Sequence, residues 1–285
     1  MPTPLINTPA SATAQLPQFT TQPAQPVTAS SWSLPDCHTR HLITQSYTQR
    51  GYALIEVPTS APISADLVAL ADALHLGEAF TPPLYAGSVH TSGGVSRLTA
   101  AHGATHPFQD RAGQNVHCDG TLQRLGQIPT TVMMCAAGAA EGGGSYLVNL
   151  VDAYAELRRL APDAAAQLAH STVLTRTSTF VERQSVTGPA FAEHVPGAWI
   201  TRYSRTATDA YRSLPGNEED LERALAFLDA AARPGSAFRT DFTLRRGQSL
   251  VLANDRLGHG RTSYRDDPAA PRLLLRGLFT LRPRA

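Results

Sequence analysis

The chain has 285 residues, 42% hydrophobic and 16% charged, with 24 basic and 23 acidic side chains and a formal net charge of +1. Every one of the 24 basic residues is arginine, which excludes the P-loop phosphate site, the pyridoxal phosphate or Schiff-base lysine and the kinase strand lysine, all of which need a lysine amine. The arginines are spread among acidic residues, so no basic stripe is offered to a nucleic-acid backbone, and no apolar run reaches the ~18 residues of a membrane span.

The first 35 residues carry no charged side chain before Asp36 and are dominated by Thr, Ser, Pro, Gln and Ala. A segment of that composition predicts an extended or disordered arm, residues 1–35, followed by a single domain over residues 36–285. The N-terminus lacks the charged and apolar blocks of a signal peptide. Cys37, Cys118 and Cys135 are odd in number and unrelated in spacing, which argues against a disulfide framework or zinc ribbon and favours a reducing cytoplasm.

From Gly51 the pattern becomes that of a folded domain. Tyr52 to Val57 predicts a strand, and Leu67, Leu70, Ala71 and Leu74 fall at helical spacing within Ala65 to Leu74. Phe80 to Gln114, rich in Gly, Pro, Thr and His, reads as loops. Thr130 to Cys135 and Tyr146 to Leu150 predict strands, the second entered through Gly142-Gly-Gly-Ser145. Helices are expected over Asp152 to Leu160 and from Pro162 to Ala169, the proline suiting a first helical position. Asn217 is expected to cap a helix whose Glu218, Glu219 and Asp220 favour its positive end. Phe238 to Leu244, Ser249 to Ala253 and Leu273 to Leu281 predict further short strands.

Chemistry concentrates in three places. In Val116-His117-Cys118-Asp119-Gly120 an extended backbone points His117 and Asp119 to one side, where both can reach one metal ion, and turns Cys118 away as a packing residue. His259, in Asn254-Asp-Arg-Leu-Gly-His259-Gly-Arg-Thr-Ser-Tyr264, supplies a third donor and completes a 2-His-1-carboxylate set. Arg272 and Arg276 lie four apart in a Leu-rich strand, about 13 Å along it at ~3.3 Å per residue. Buried guanidiniums need anionic partners, which either a dicarboxylate ligand or internal Asp and Glu side chains would provide.

Taken together, His117-Cys-Asp119-Gly-Thr, the Cys135 to Ser145 stretch, His259-Gly-Arg-Thr-Ser-Tyr and Arg272-x-x-x-Arg276 resemble the TauD/TfdA-like branch of the Fe(II)/2-oxoglutarate-dependent dioxygenases, which includes clavaminate synthase. The resemblance runs from about Gly51 to Arg282. It implies a mixed, mainly β fold, a double-stranded β-helix or distorted jelly roll with flanking and inserted helices. It also implies that His117, Asp119 and His259 hold Fe(II), and that Arg272 takes the distal carboxylate of 2-oxoglutarate. Ser145 stands where many relatives place a Thr hydroxyl beside that carboxylate, and Arg276 matches a second arginine that in several relatives meets an acidic group of the substrate.

Halogenating relatives replace the carboxylate ligand by Gly or Ala, so Asp119 points to hydroxylation or another oxidation. The implied reaction consumes O2 and 2-oxoglutarate, releases succinate and CO2, and oxidises an unactivated C–H bond of a small organic molecule, with an amino-acid-derived or other secondary metabolite as first choice. The partner is a small molecule rather than nucleic acid or membrane, and a homo-oligomer stays open. Two other readings use the same residues: a zinc-dependent hydrolase or lyase, and a noncatalytic jelly-roll binding protein.

Overall fold

The computed structural model describes residues 16, 18–58, 60–83, 91–100, 111–178 and 183–285. Two sheets form the jelly-roll core. The larger has seven strands in the order Val27–Thr28, Tyr52–Glu56, Gln248–Ala253, Thr130–Ala137, Leu273–Phe279, Val95–Leu98 and Thr91–Ser92. The smaller has four, Arg239–Phe242, Ser145–Asn149, Leu257–Arg261 and Gln114–His117. Apart from the parallel pair Val27–Thr28 and Tyr52–Glu56, every pairing in the two sheets is antiparallel.

Strand periodicity divides the side chains between three apolar layers. Tyr52, Leu54, Met133, Cys135, Leu250, Leu252 and Leu274 of the large sheet meet Leu147 and Leu257 of the small one. Their neighbours Ala53, Ile55, Val132, Met134, Val251 and Leu275 point the other way, against helices Cys37–Arg50 and Ser64–Ala73. On the outer face of the small sheet, Val116, Cys118, Tyr146 and Val148 pack under helices Leu150–Leu160, Pro162–Ala169 and Glu218–Ala231. Because successive residues of a strand alternate faces, strands covered on both sides read as nearly continuous apolar runs. Cys118 is the packing residue expected, buried with Val116 in the helical layer.

The N-terminal boundary needs correction. Residues 1–15 and 17 lie outside the described residues, but from Leu16 onward the expected arm is built into the domain. Val27 pairs with Ile55, Trp32 and Leu34 are buried on the helix side of the large sheet, and the Trp32 indole donates to Ser60 Oγ at 2.8 Å. Absence of charge, taken as a sign of an arm, is equally what allows a segment to be buried at low cost; a fully buried Leu contributes about 1.5–3 kcal/mol.

Three other expectations change. Phe80 to Gln114 holds the strands Thr91–Ser92 and Val95–Leu98, while His90, His102 and His106 lie outside the described residues. The helix Cys37–Arg50 was not foreseen, because only Ile43 and Tyr47 of its 14 residues are buried. Asp36 caps it, accepting from the His38 and Thr39 N–H groups. Asn217 precedes its helix without a side-chain capping bond, its amide donating to Pro215 O instead. No helix among the described residues is long and apolar enough to cross a membrane.

Candidate metal centre and its cavity

His117 ends the strand Gln114–His117, and His259 lies directly across from it on the antiparallel strand Leu257–Arg261. Their ring centroids are 4.3 Å apart. Glycines on both sides of His259 make this close pairing possible. A Cβ at Gly258 would come within 2.6 Å of Val116 and 2.7 Å of Leu150, and one at Gly260 would strike the Tyr146 ring. Asp119 follows two residues after His117, and one donor atom from each of the three side chains lies within 4.8 Å of the others.

The surroundings hold these donors in ligand-ready form. His117 Nδ1 is 2.9 Å from Asn115 O; a proton there satisfies the contact and leaves Nε2 for a metal. Burial pushes the His117 pKa down and lowers His259 to about 3, with His117 as the next cause, so both rings are neutral. Burial alone would raise Asp119, but the Arg276 guanidinium, acting together with His259, His117 and the Thr131 hydroxyl, overcomes it and the carboxyl is held well below its usual range.

Asp119 is fixed from several directions. Arg276 donates to Oδ1 at 2.6 Å and Thr131 Oγ1 to Oδ2 at 3.0 Å. Its backbone N–H donates to Asn254 Oδ1 at 2.7 Å, and the Asn254 amide returns to Asp119 O at 3.2 Å. The two neutral imidazoles and one ionised carboxylate form a nitrogen and oxygen set with too few protein donors to close an octahedral shell, which fits a ferrous ion that must accept a chelating co-substrate.

The three residues line a cavity of about 400 Å³ that also takes in Ser145, Arg272 and Arg276, within the ~300–1,000 Å³ usual for small-molecule sites. All six residues singled out from the sequence therefore face one space. Arg272 stands one residue before the strand Leu273–Phe279, and a register shift follows at Leu273 and Leu274. Its guanidinium is 5.0 Å from the Tyr264 ring centroid, and among the described residues no carboxylate ion-pairs with it, whereas its backbone N–H donates to Asp266 at 2.9 Å. Internal pairing thus accounts for Arg276 and not for Arg272. Arg276, expected to meet an acidic substrate group, has Asp119 as its partner.

Sequence reasoning missed Thr131, Asn254 and Arg176. Asn254 sits inside the motif that contains His259, five residues upstream, and only its contacts reveal its role. Arg176 lies in the strand Leu174–Thr177, where a lone Arg between two threonines carries no signal of burial.

A jelly roll with a 2-His-1-carboxylate cluster at a cavity defines a mononuclear metal-dependent oxygenase architecture. Comparison narrows this to one family. The family described as "Taurine catabolism dioxygenase TauD, TfdA family" matches residues 13–278. A uridine-5′-phosphate dioxygenase from an Amycolatopsis species is 37% identical over 247 residues, 85% of this chain and 90% of the relative. One from a Streptomyces species is 37% identical over 242 residues, 82% of this chain and 87% of the relative. A solved asparagine oxygenase, in complex with Fe(II), 2S,3S-3-hydroxyasparagine and succinate, shares the fold with a TM-score of 0.65 at 13% identity, covering 88% of this chain and 81% of that one. The chain belongs to the TauD/TfdA family and is an Fe(II)- and 2-oxoglutarate-dependent dioxygenase.

Proposed function

We propose that this dioxygenase oxidises a C–H bond of a nucleotide, uridine 5′-phosphate (UMP), with His117, Asp119 and His259 as the iron ligands and Arg272 and Ser145 as the 2-oxoglutarate clamp. The observation that carries the reaction is the convergence of the three donor atoms within 4.8 Å in the cavity that contains Arg272. The substrate rests on the two uridine-5′-phosphate dioxygenases at 37% identity, which moves the expectation from an amino-acid-derived scaffold to a nucleotide.

When bound, iron and 2-oxoglutarate supply the oxidation: O2 is reduced, 2-oxoglutarate becomes succinate and CO2, and one oxygen atom enters the substrate C–H bond. The chain's own residues bind and orient. The planar Arg272 guanidinium suits a two-pronged grip on a carboxylate, which an ammonium could not give. Ser145 opens the strand Ser145–Asn149 opposite Arg261 and lines the same cavity. Arg276 and Thr131 occupy the two Asp119 oxygens and fix the carboxylate plane. The reducing cytoplasm suits three cysteines that are all free thiols.

The test is a comparison of UMP, other nucleoside monophosphates and amino acids for succinate formation with Fe(II), 2-oxoglutarate and O2. UMP is expected to give succinate and CO2 in equal amounts. Turnover stimulated by an amino acid and not by any nucleotide would overturn the substrate assignment.

A further inference from the structure

Among the described residues, four arginines line the cavity, Arg176, Arg261, Arg272 and Arg276, against a single carboxylate, Asp119. Arg276 is paired with that carboxylate, and Arg272 is assigned above to 2-oxoglutarate. Arg261 donates to Ala112 O and stacks on Tyr264 beside Arg272. Arg176 stands apart from these, beside the metal cluster: its Nη1 donates at 3.0 Å to the carbonyl of Cys118, the residue between His117 and Asp119.

Arg176 is 3% exposed and only loosely neutralised. Its Nε is 3.5 Å from Asp209 Oδ1 and makes no hydrogen bond among the described residues. The other Asp209 oxygen is already taken by Ser204 Oγ at 2.6 Å and by the Thr206 N–H and hydroxyl, both at 2.7 Å. Behind Arg176 lies a second buried arginine. Arg202 has only long contacts, to Thr121 O at 3.5 Å and Val186 O at 3.4 Å, and no carboxylate ion-pairs with it among the described residues. Burial and the nearby Arg176 charge lower its pKa to about 10. Among the described residues, two buried guanidiniums thus stand near one carboxylate, Asp209, which ion-pairs with Arg176 alone and whose other oxygen is already occupied, leaving excess positive charge that an anion in the cavity would relieve. The hydroxyl-bearing Thr121, Thr177 and Thr208 line the same cavity, a mixture of guanidinium and hydroxyl donors that suits phosphate oxygens.

We propose that Arg176, backed by Arg202, recognises the phosphate of the substrate and makes the enzyme select a phosphomonoester over the free nucleoside. The proposal rests on the nucleotide reading above and assigns its specificity to one residue.

Binding of UMP and of uridine is measured without oxygen, on protein loaded with Fe(II) and 2-oxoglutarate, for the parent, Arg176→Met and Arg176→Lys. The parent prefers UMP, and Arg176→Met loses about 10- to 100-fold of that preference, the scale of a charged hydrogen-bond pair. Arg176→Lys keeps the charge without the fork and falls between. An unchanged preference in Arg176→Met, or an equal loss for both ligands, overturns the proposal by showing that Arg176 only supports the fold. If Arg176→Met does not fold, Arg176→Lys decides on the same ratio, full preference contradicting the assignment and a reduced one supporting it. A parent that binds both ligands alike removes the phosphate subsite and leaves the nucleotide reading standing; a parent that binds neither removes both.

Discussion

Arg276 and Asp119, 157 positions apart in the chain, meet at 2.6 Å in the metal cluster. The guanidinium serves as counter-charge to a carboxylate that is 8% exposed. Removing one partner of a buried pair costs about 3–5 kcal/mol because the other is left uncompensated. Arg276→Met is therefore expected to lower the melting temperature of the metal-free protein. A divalent metal ion should then raise it by more than in the parent, since the metal becomes the only counter-charge at Asp119. Thermal melts with and without Mn(II) measure both effects; a smaller metal-induced rise in the variant would contradict this role.

Asn254 holds the Asp119 backbone from both sides and is itself 2% exposed. Asn254→Ala leaves the Asp119 N–H unsatisfied, a loss of about 1–3 kcal/mol. The urea midpoint is expected to fall accordingly, and metal affinity with it, because Asp119 can no longer be placed by its backbone. Unchanged metal affinity would show that the strand geometry alone positions the ligand.

Arg272→Lys should raise the KM for 2-oxoglutarate about 10- to 100-fold by losing the planar two-pronged grip. Ser145→Ala should raise it about 2- to 10-fold, as for a neutral hydrogen bond. Steady-state kinetics with 2-oxoglutarate varied checks both. Equal KM values in parent and Arg272→Lys would place the co-substrate carboxylate elsewhere.

The legible parts of this molecule are those where one short segment carries the whole signal. His117, Asp119 and His259 could be singled out because the two-residue spacing of an extended chain and a single later histidine define a ligand set. The buried strands, such as Thr130–Ala137 and Gln248–Ala253, announced themselves as apolar runs. What stayed hidden depends on contacts between distant segments. Arg176 reads as a surface residue until Asp209 and the Cys118 carbonyl are placed beside it. Asn254 becomes a support only when the chain returns to Asp119, 135 residues back. Trp32 and Leu34 were hidden in a stretch whose composition suggested an arm. The helix Cys37–Arg50 escaped because a surface helix that buries two side chains has almost no apolar face.

Asp36 offers a check of that helix by pH. Hydrogen bonds from the Thr39 hydroxyl and from the Thr39 and His38 N–H groups hold its carboxyl below the ordinary 3.8. A pKa lower in the folded than in the unfolded chain gives stability that is fully present above the unfolded value and is lost as pH falls through the folded one. The melting temperature of Asp36→Ala should therefore lie below that of the parent near neutral pH, with the gap narrowing below about pH 4. A gap independent of pH would show that the carboxylate charge plays no part in the cap.

The central claim is that His117, Asp119 and His259 hold the iron at which 2-oxoglutarate is consumed. Substrate-dependent succinate formation, measured for the parent and for His117→Ala and His259→Ala with Fe(II), 2-oxoglutarate and O2, tests it most directly. The parent should form succinate in proportion to the substrate oxidised, and both variants should form none while remaining folded by circular dichroism. Full activity in either variant would contradict the assignment.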